Sequence, residues 1–175
     1  RYKHQSSIVA WQVEHEAVDP LGVEHSWRLS TRFVEREVQA VRNVDLSRPI
    51  LMNGFLPATL PVRLAQWWQT RDQGDSLDVA QRLADIVGVD YYPRHALVGL
   101  GPRTLYLESG DRPWQQARRR RLFAWAAAHG RRLMISEGQA EPWEAVTSPP
   151  NPRHQAMHSC PPEKVVRTYN QCLAW

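Results

Sequence analysis

The sequence predicts an α/β fold in which short parallel strands alternate with helices, and three observations support that prediction. Apolar segments begin near residues 8, 50, 86 and 132, and a longer segment of helical character follows each of them. These apolar segments do not alternate with polar residues, which is typical of parallel strands buried on both faces. Their spacing is regular although no sequence repeat accompanies it. The pattern leaves two architectures open, a doubly wound sheet and a (β/α)8 barrel.

The first strand–helix unit begins with an apolar run at 8–13 that enters the polar stretch "EHE" at 14–16. Carboxylates are almost never fully buried without a partner, so this stretch is expected where the strand leaves the core. A helix is predicted from about 24 to 43, because its apolar residues form one wide stripe. The stripe consists of Leu29, Phe33, Val34, Val38 and Val41.

The second unit begins at Pro49, which precedes the short strand "ILMNGF". A long loop is predicted after this strand, because prolines and a pair of exposed aromatic residues follow it. That loop would contain Pro57, Pro61, Trp67 and Trp68. Asp75 or Ser76 is a suitable N-cap for a helix that continues through Ala84.

The third and fourth units follow the same order. The apolar run "IVGVDYY" ends at Pro93, and a loop rich in glycine and proline is predicted after it. Asp111 is then a plausible N-cap for a helix that Gly130 terminates. The strand "RLMISE" follows, and a proline-rich loop at 149–162 precedes a last helix that begins near Pro161.

Composition limits the class of protein. The 175 residues, of which 42% are hydrophobic and 23% charged, are typical of one globular domain covering 1–175. No apolar run approaches the roughly 18 residues of a membrane span, and two cysteines are too few for a disulfide scaffold. The arginine run at 118–121 suggests nucleic acid, but successive helical residues point about 100° apart, so a solvated helix surface is the preferred interpretation.

Polar side chains stand at the end of each predicted strand, where ligands bind in both architectures. They are Glu14 and Glu16, then Asn53, then Asp90, Tyr91 and Tyr92, and finally Glu137. None of the turns has the glycine pattern of a nucleotide-binding loop. Two carboxylates on different strands suit the hydrolysis of a glycosidic bond.

Four motifs resemble the glycoside hydrolases of clan A, the retaining (β/α)8-barrel enzymes. "WQVEHE" resembles the ending of their fourth strand, "RPILMNGF" the fifth, "VGVDYYP" the sixth and "LMISEGQAEPW" the seventh. The likeness is greatest to cellulase-like or β-galactosidase-like members. It covers nearly the whole chain and implies half of a barrel, with strands four to seven and their helices.

The resemblance also implies catalytic roles. Glu16 matches the general acid/base and Glu137 the nucleophile, which a hydroxyl of Tyr91 or Tyr92 would hold by a hydrogen bond. Glu14 would be a hydrogen-bond partner behind Glu16, or alternatively a solvated carboxylate at the strand end. His15 stands where the family has an asparagine that binds the substrate 2-hydroxyl, and a histidine can also donate a hydrogen bond.

Further substrate contacts are assigned with an alternative for each. Asn53 either touches the substrate or makes the turn before Gly54. Aromatic faces stack on sugar rings, so Trp68 and Trp143, like Trp67, are candidates for sugar subsites if they lie in loops above the strand ends. The alternative is that these tryptophans pack the loops.

The sequence therefore predicts hydrolysis of a β-O-glycosidic bond with retention, on a carbohydrate substrate and without a cofactor or metal. His154 and His158 have no third ligand at metal spacing, so no zinc site is expected. The alternatives are a non-catalytic carbohydrate-binding or structural fragment of such a barrel and, less favoured, an arginine-rich nucleic-acid binder. A half barrel leaves two strand edges unpaired, so a missing half or a second copy is expected to complete it.

Overall fold

The computed structural model describes residues 2–19, 28–57, 60–100, 103–108, 113–140 and 161–175. Strands and helices alternate along the chain, with one additional helix and one additional hairpin. In order they are β1 (Trp11–Gln12), α1 (Thr31–Val44), β2 (Ile50–Phe55), α2 (Leu60–Thr70), α3 (Ser76–Leu83), β3 (Ile86–Tyr91), β4 (Arg94–Leu100), β5 (Arg103–Glu108), α4 (Pro113–Ala128), β6 (Arg132–Gly138) and α5 (Pro162–Leu173).

The main sheet contains four strands in the order β1-β2-β3-β6, and every neighbouring pair is parallel. This confirms the predicted α/β class with parallel strands. The strands are apolar because helices cover one of their faces, and the core lies between β2, β3 and α3. Its fully buried side chains include Ile50, Met52, Val87, Leu77 and Val79. Because the strands are parallel, their carboxyl ends meet along one edge of the sheet.

The predicted caps at the start of α3 and the end of α4 are confirmed, whereas α1 begins at Thr31 and not near residue 24, so that predicted start was wrong. Ser30 caps α1 by accepting a hydrogen bond from the backbone N–H of Phe33. Asp75 caps α3, and the side chain of Asp78 returns a hydrogen bond to the Asp75 backbone, which completes a capping box. Gly130, with φ +60°, follows α4 in the left-handed conformation that terminates helices. Asp111, the predicted N-cap of α4, lies outside the described residues.

Two segments predicted as loops are regular structure, and those predictions were wrong. Helix α2 occupies the segment after β2, because Pro61 falls in its first turn, where a missing N–H costs nothing. The segment after β3 forms the antiparallel hairpin β4–β5. Its glycines and Pro102 suggested a continuous loop, but the β-prone residues on both sides of the two-residue connection at 101–102 pair with each other.

The first strand is also shorter than predicted. The sequence predicted a strand over 8–13, but only Trp11 and Gln12 pair with the neighbouring strand. It is an edge strand with one neighbour, and the chain before it is held by side-chain contacts instead. The guanidinium of Arg48 donates to the carbonyl oxygens of Ile8 at 2.7 Å and Gln5 at 2.6 Å. Among the described residues, no helix combines the length and apolar character that crossing a membrane requires.

Candidate active site

The carboxyl ends of the four parallel strands bring six polar side chains into one cluster, called here the carboxyl cluster. It consists of His15, Glu16, Asn53, Asp90, Tyr92 and Glu137. Each of the four strands, or the segment directly after it, contributes at least one member. Five of the six are site residues that the sequence predicted, and Asp90 is the addition.

Asn53 is the centre of the cluster, and its side chain is almost fully buried at 1% exposure. Its amide nitrogen donates to Oδ2 of Asp90 and to Nδ1 of His15, both at 2.7 Å. Its oxygen accepts from the side chain of Gln12 and from the backbone N–H of Glu16, both at 3.3 Å. These four contacts use the whole hydrogen-bonding capacity of the amide. Asn53 therefore orders its neighbours, in contrast to the expected roles of touching substrate or making a turn.

Gly88 makes room for this arrangement in the middle of β3. A Cβ at this position would lie 2.5 Å from Oγ of Ser136 and 2.9 Å from Cβ of Asn53. Glycine inside a strand often marks such a close approach of other groups. The missing side chain allows Asn53 and Ser136 to meet Asp90 from the strands on either side.

A β-bulge in β6 turns Glu137 towards the cluster. Val89 pairs with Ile135, but the next residue of β3, Asp90, pairs with Glu137, so Ser136 is one extra residue on β6. Paired residues of neighbouring strands point to the same face, so the bulge places Glu137 on the face of Asp90. In an unbroken register Glu137 would point to the opposite face. Bulges are frequent beside active sites because they redirect a side chain in this way.

Tyr92 holds Glu137 by donating its hydroxyl hydrogen bond to Oε2 of that carboxylate. Burial raises the pKa of Tyr92, and the hydrogen bond to Glu137 raises it further, so the hydroxyl keeps its proton. Tyr91 points elsewhere, since its ring packs edge-on against Trp175 with centroids 4.6 Å apart. Of the two tyrosines that the sequence offered, Tyr92 is therefore the one that binds Glu137.

His15 lies beside Glu137, with Nδ1 3.2 Å from Oε1 of the carboxylate. The shorter contact of Nδ1 is with the Asn53 amide nitrogen, which can only donate, so Nδ1 is an acceptor. The proton of the neutral ring is then on Nε2. Because the His15 side chain is 51% exposed, its N–H is accessible to a ligand at the mouth of the cluster.

Glu16 is the carboxyl group with the most altered acidity. Burial and then the negative charges of Asp90, Asp19 and Glu137 raise the pKa of Glu16 to about 8. At neutral pH Glu16 is therefore mainly protonated, which is the state that a general acid requires.

The backbone around Glu16 is strained. Glu14, Glu16 and Val18 have positive φ angles of 59°, 44° and 73°, and for a β-branched residue such as Val18 this is unusual. Each such residue costs on the order of 1–3 kcal/mol and persists only where the surroundings hold it. Strain of this kind concentrates at functional sites, and here it brings His15 and Glu16 onto the Asn53 amide.

Asp19 anchors the strained segment to the start of α3. Its buried carboxylate accepts hydrogen bonds from the backbone N–H of Ser76 at 3.1 Å, from the Ser76 hydroxyl at 2.5 Å and from Gln66 at 2.9 Å. Burial raises the pKa of Asp19 to about 6, although the Ser76 and Gln66 hydrogen bonds oppose this rise. The approach of β2 to α3 depends on Gly54, where a Cβ would lie 2.6 Å from the backbone nitrogen of Leu77.

Glu14 and the tryptophans occupy other places than expected. Glu14 is exposed, and the pKa of Glu37 on α1 rises first through burial and then through the charge of Glu14. Trp68 lies in α2 and not in a loop, and its ring stacks 3.8 Å from the guanidinium of Arg71. Trp67 lines a groove of about 860 Å³ between α2, α3 and α4. Trp143 lies outside the described residues.

Three groups of the cluster have the spacing of a cation site, since ligand atoms of His15, Asp90 and Glu137 lie within 4.8 Å of one another. The Asn53 amide already donates to His15 and to Asp90, however, and a cation would have to displace it from a buried position. The geometry therefore fits a hydrogen-bonded network of acids better than a metal centre. His154, His158 and Cys160 lie outside the described residues.

Comparisons of this chain with protein-family models, with curated proteins and with solved structures gave no match. The geometry of the carboxyl cluster and the motifs at the strand ends are therefore the basis for assigning a function.

Proposed function

We propose that this chain is the catalytic part of a retaining β-glycoside hydrolase, with β1, β2, β3 and β6 as strands four to seven of a (β/α)8 barrel. The uninterrupted parallel order β1-β2-β3-β6 supports the barrel assignment. A further half, from the same protein or from a second copy, would pair with the outer edges of β1 and β6. Carbohydrate is the substrate, and the mechanism needs no cofactor.

The observation that carries the proposal is the pairing of a protonated carboxyl with a second carboxylate at the same edge of the sheet. Burial and acidic neighbours keep the proton on Glu16, with a pKa of about 8. The hydrogen bond from Tyr92 fixes the orientation of Glu137. Two carboxyl groups in different environments, one acid and one nucleophile, are what glycoside hydrolysis with retention requires.

In the first step an oxygen of Glu137 attacks the anomeric carbon while Glu16 gives its proton to the departing glycosidic oxygen. The bond from carbon to the leaving oxygen breaks, and an ester between Glu137 and the sugar forms. In the second step Glu16, now ionised, takes a proton from water, and the water oxygen displaces Glu137. Esterification removes the charge of Glu137, which is one cause of the high pKa of Glu16. The pKa of Glu16 therefore falls in the intermediate, which favours the ionised form that acts as general base in the second step.

Retention requires the two carboxyl groups to lie about 5–5.5 Å apart, whereas inversion requires about 6.5–9.5 Å. The anomeric configuration of the first product, followed by proton NMR, tests this part of the proposal. A β-glycoside that releases the α-sugar first would contradict retention.

The main experiment compares Glu137→Gln and Glu16→Gln in the full-length protein with a panel of aryl β-glycosides. Glu137→Gln removes the nucleophile, and we expect kcat to fall by roughly 10⁴-fold or more for every substrate. Glu16→Gln should cost about 10²–10⁴-fold with poor leaving groups and much less with dinitrophenolate, which leaves without a proton. Glu35→Gln, an exposed glutamate on α1, is the matched control. Wild-type turnover by Glu137→Gln would overturn the proposal.

A further inference from the structure

Building on the proposed function, we propose that Asp19 is the positioning residue of the general acid. Its buried carboxylate fixes the turn that starts at Glu16 and thereby sets the point and direction in which the Glu16 side chain leaves the backbone. Asp19 does not touch the substrate in this role, because it acts through the backbone of Glu16.

The turn from Glu16 to Asp19 has a conformation that its own residues disfavour. The backbone N–H of Asp19 donates to the carbonyl oxygen of Glu16 at 3.1 Å, which closes a four-residue turn. Glu16 and Val18 have positive φ angles of 44° and 73°, and in turns such angles are usually found at glycine or asparagine. Contacts from outside the turn must therefore hold it in place.

Asp19 supplies these contacts at one end of the turn. Its carboxylate, in a residue that is 8% exposed, accepts hydrogen bonds from the N–H and the hydroxyl of Ser76 and from the amide of Gln66. Both partners are remote in sequence, 57 and 47 residues away, and belong to α3 and α2. The Ser76 hydroxyl also accepts from the backbone N–H of Phe55 at 3.2 Å, so Asp19 is connected to the end of β2.

The same strand holds the other end of the turn. Asn53, two residues before Phe55 on β2, accepts from the backbone N–H of Glu16 at 3.3 Å. Both peptide groups of Glu16 are therefore hydrogen-bonded, the N–H to Asn53 and the carbonyl to the N–H of Asp19. These two contacts fix the backbone on both sides of the Glu16 Cα, and we call them the Glu16 clamp. A clamp matters for a catalytic acid, because a displacement of about 1 Å can cost 10²-fold in rate.

The test compares two classes of aryl β-glycoside in the full-length protein. In Asp19→Ala the Glu16 clamp opens at one end, whereas Glu137 keeps its hydrogen bond from Tyr92. We expect kcat/KM to fall by roughly 10²-fold with phenolate as leaving group, and by less than about threefold with dinitrophenolate, which leaves without a proton. A residue that only stabilises the fold would lower both rates by the same factor, so equal losses would overturn the role of Asp19.

Asp19→Asn separates the position of the side chain from its charge. The asparagine oxygen still accepts from the Ser76 N–H, and the Ser76 hydroxyl and the Gln66 amide can each turn to accept a hydrogen bond instead of donating one. We expect kcat/KM within about fivefold of the wild type for both classes of substrate. A loss as large as in Asp19→Ala would assign the effect to the charge of Asp19, which contributes to the raised pKa of Glu16, and would overturn the positioning role.

Asp45→Ala is the matched control. Asp45 is also an aspartate of low exposure, 7%, and accepts hydrogen bonds from Trp11 and Arg48 at the opposite end of the sheet. It should change the two classes of substrate by the same factor, and a selective loss like that of Asp19→Ala would contradict the proposal. If Asp19→Ala does not fold, Gln66→Met removes one donor at similar volume and should show the same selectivity at about tenfold.

Amide hydrogen exchange, followed by NMR, gives a readout without substrate. In Asp19→Ala the amides of residues 16 and 76 should exchange about tenfold faster or more, whereas the amides of β3 keep their protection. Unchanged exchange at residue 16 would show that Asp19 does not hold the clamp.

The two proposals fail in different ways. If the protein hydrolyses aryl β-glycosides but Asp19→Ala affects both classes equally, the role of Asp19 is wrong and the glycosidase assignment stands. If exchange at residue 16 depends on Asp19 but no glycoside is hydrolysed, the clamp stands and the glycosidase assignment falls.

Discussion

The two ends of the same parallel sheet use aspartate and glutamate in opposite ways. At the amino ends of the strands, Asp45 accepts from Arg48 at 2.7 Å and from the indole of Trp11 at 3.0 Å. Asp85 binds Arg131 at 3.1 Å and caps the backbone N–H of Ile50 at 2.9 Å. At the carboxyl ends the acids accept hydrogen bonds from neutral donors instead, and their negative charges raise the pKa of Glu16.

The difference in partners determines the difference in acidity. Hydrogen bonds from Ser47, Trp11 and Arg48 lower the pKa of Asp45. Burial and acidic neighbours raise the pKa of Glu16 instead. An acid with cationic partners stabilises the fold at neutral pH, whereas a buried acid among acids costs stability and gains reactivity. Under the proposed function, one end of the sheet maintains the structure and the other performs the chemistry.

Apart from replacing the two catalytic glutamates of the proposal, the most severe way to break the reactive end is to remove its central amide. Asn53→Ala leaves Oδ2 of Asp90 and the backbone N–H of Glu16 without the partner that Asn53 supplies, at about 1–3 kcal/mol for every buried group. We expect kcat/KM to fall by roughly 10²–10³-fold, because Glu16, His15 and Asp90 lose the hydrogen-bond partner that holds them relative to one another. The measurement is the rate with aryl β-glycosides, with Asn43→Ala on the exposed face of α1 as control. Equal rates for both variants would contradict a central role for Asn53.

The sequence alone could identify the residue types of the reactive end but not their orientation. Glu16 and Glu137 were predicted because parallel strands bring their carboxyl ends to one edge, which needs only the order of elements. The bulge at Ser136 cannot be recognised from alternation, yet it decides which face Glu137 occupies. The choice of Tyr92 over Tyr91 depends on the same geometry.

Asp90 was recognised as a polar residue at a strand end but was assigned no role, for a related reason. It belongs to the apolar run "IVGVDYY", where a single carboxylate looks like the end of a strand. Its importance comes from Asn53 and Ser136, which are distant in sequence and meet it only through the gap at Gly88. A carboxylate inside an otherwise apolar strand was the one available signal, because such a group must find partners when it is buried. The prolines after β2 led to the wrong prediction of a loop where α2 lies, because the first turn of a helix tolerates proline.

The acids at the two ends of the sheet also differ, by a smaller effect, in how they make the stability of the fold depend on pH. The pKa of Glu16 is higher in the folded protein than its ordinary value of 4.5, so Glu16 stabilises the fold least when it is ionised. Its contribution is complete below about pH 4 and is lost as the pH rises towards 8. Glu16→Gln should therefore be more stable than the wild type at pH 8 and above, by roughly 2 kcal/mol. Urea unfolding at several pH values measures this, and a variant that is less stable at pH 9 would contradict the prediction.

The smallest expected effect on activity comes from the other end of the sheet. Asp45 has a lowered pKa when folded, so its stabilising contribution is present above its ordinary pKa of 3.8 and is lost as the pH falls. Asp45→Asn should therefore unfold at lower urea than the wild type at pH 7, and the difference should shrink below about pH 4. Because Asp45 belongs to the amino ends of the strands, kcat/KM and its alkaline limb should stay within about twofold and a few tenths of a pH unit. If the limb moved by a full pH unit or more, the acidity of Glu16 would depend on the whole sheet, and the separation between a structural end and a reactive end would not hold.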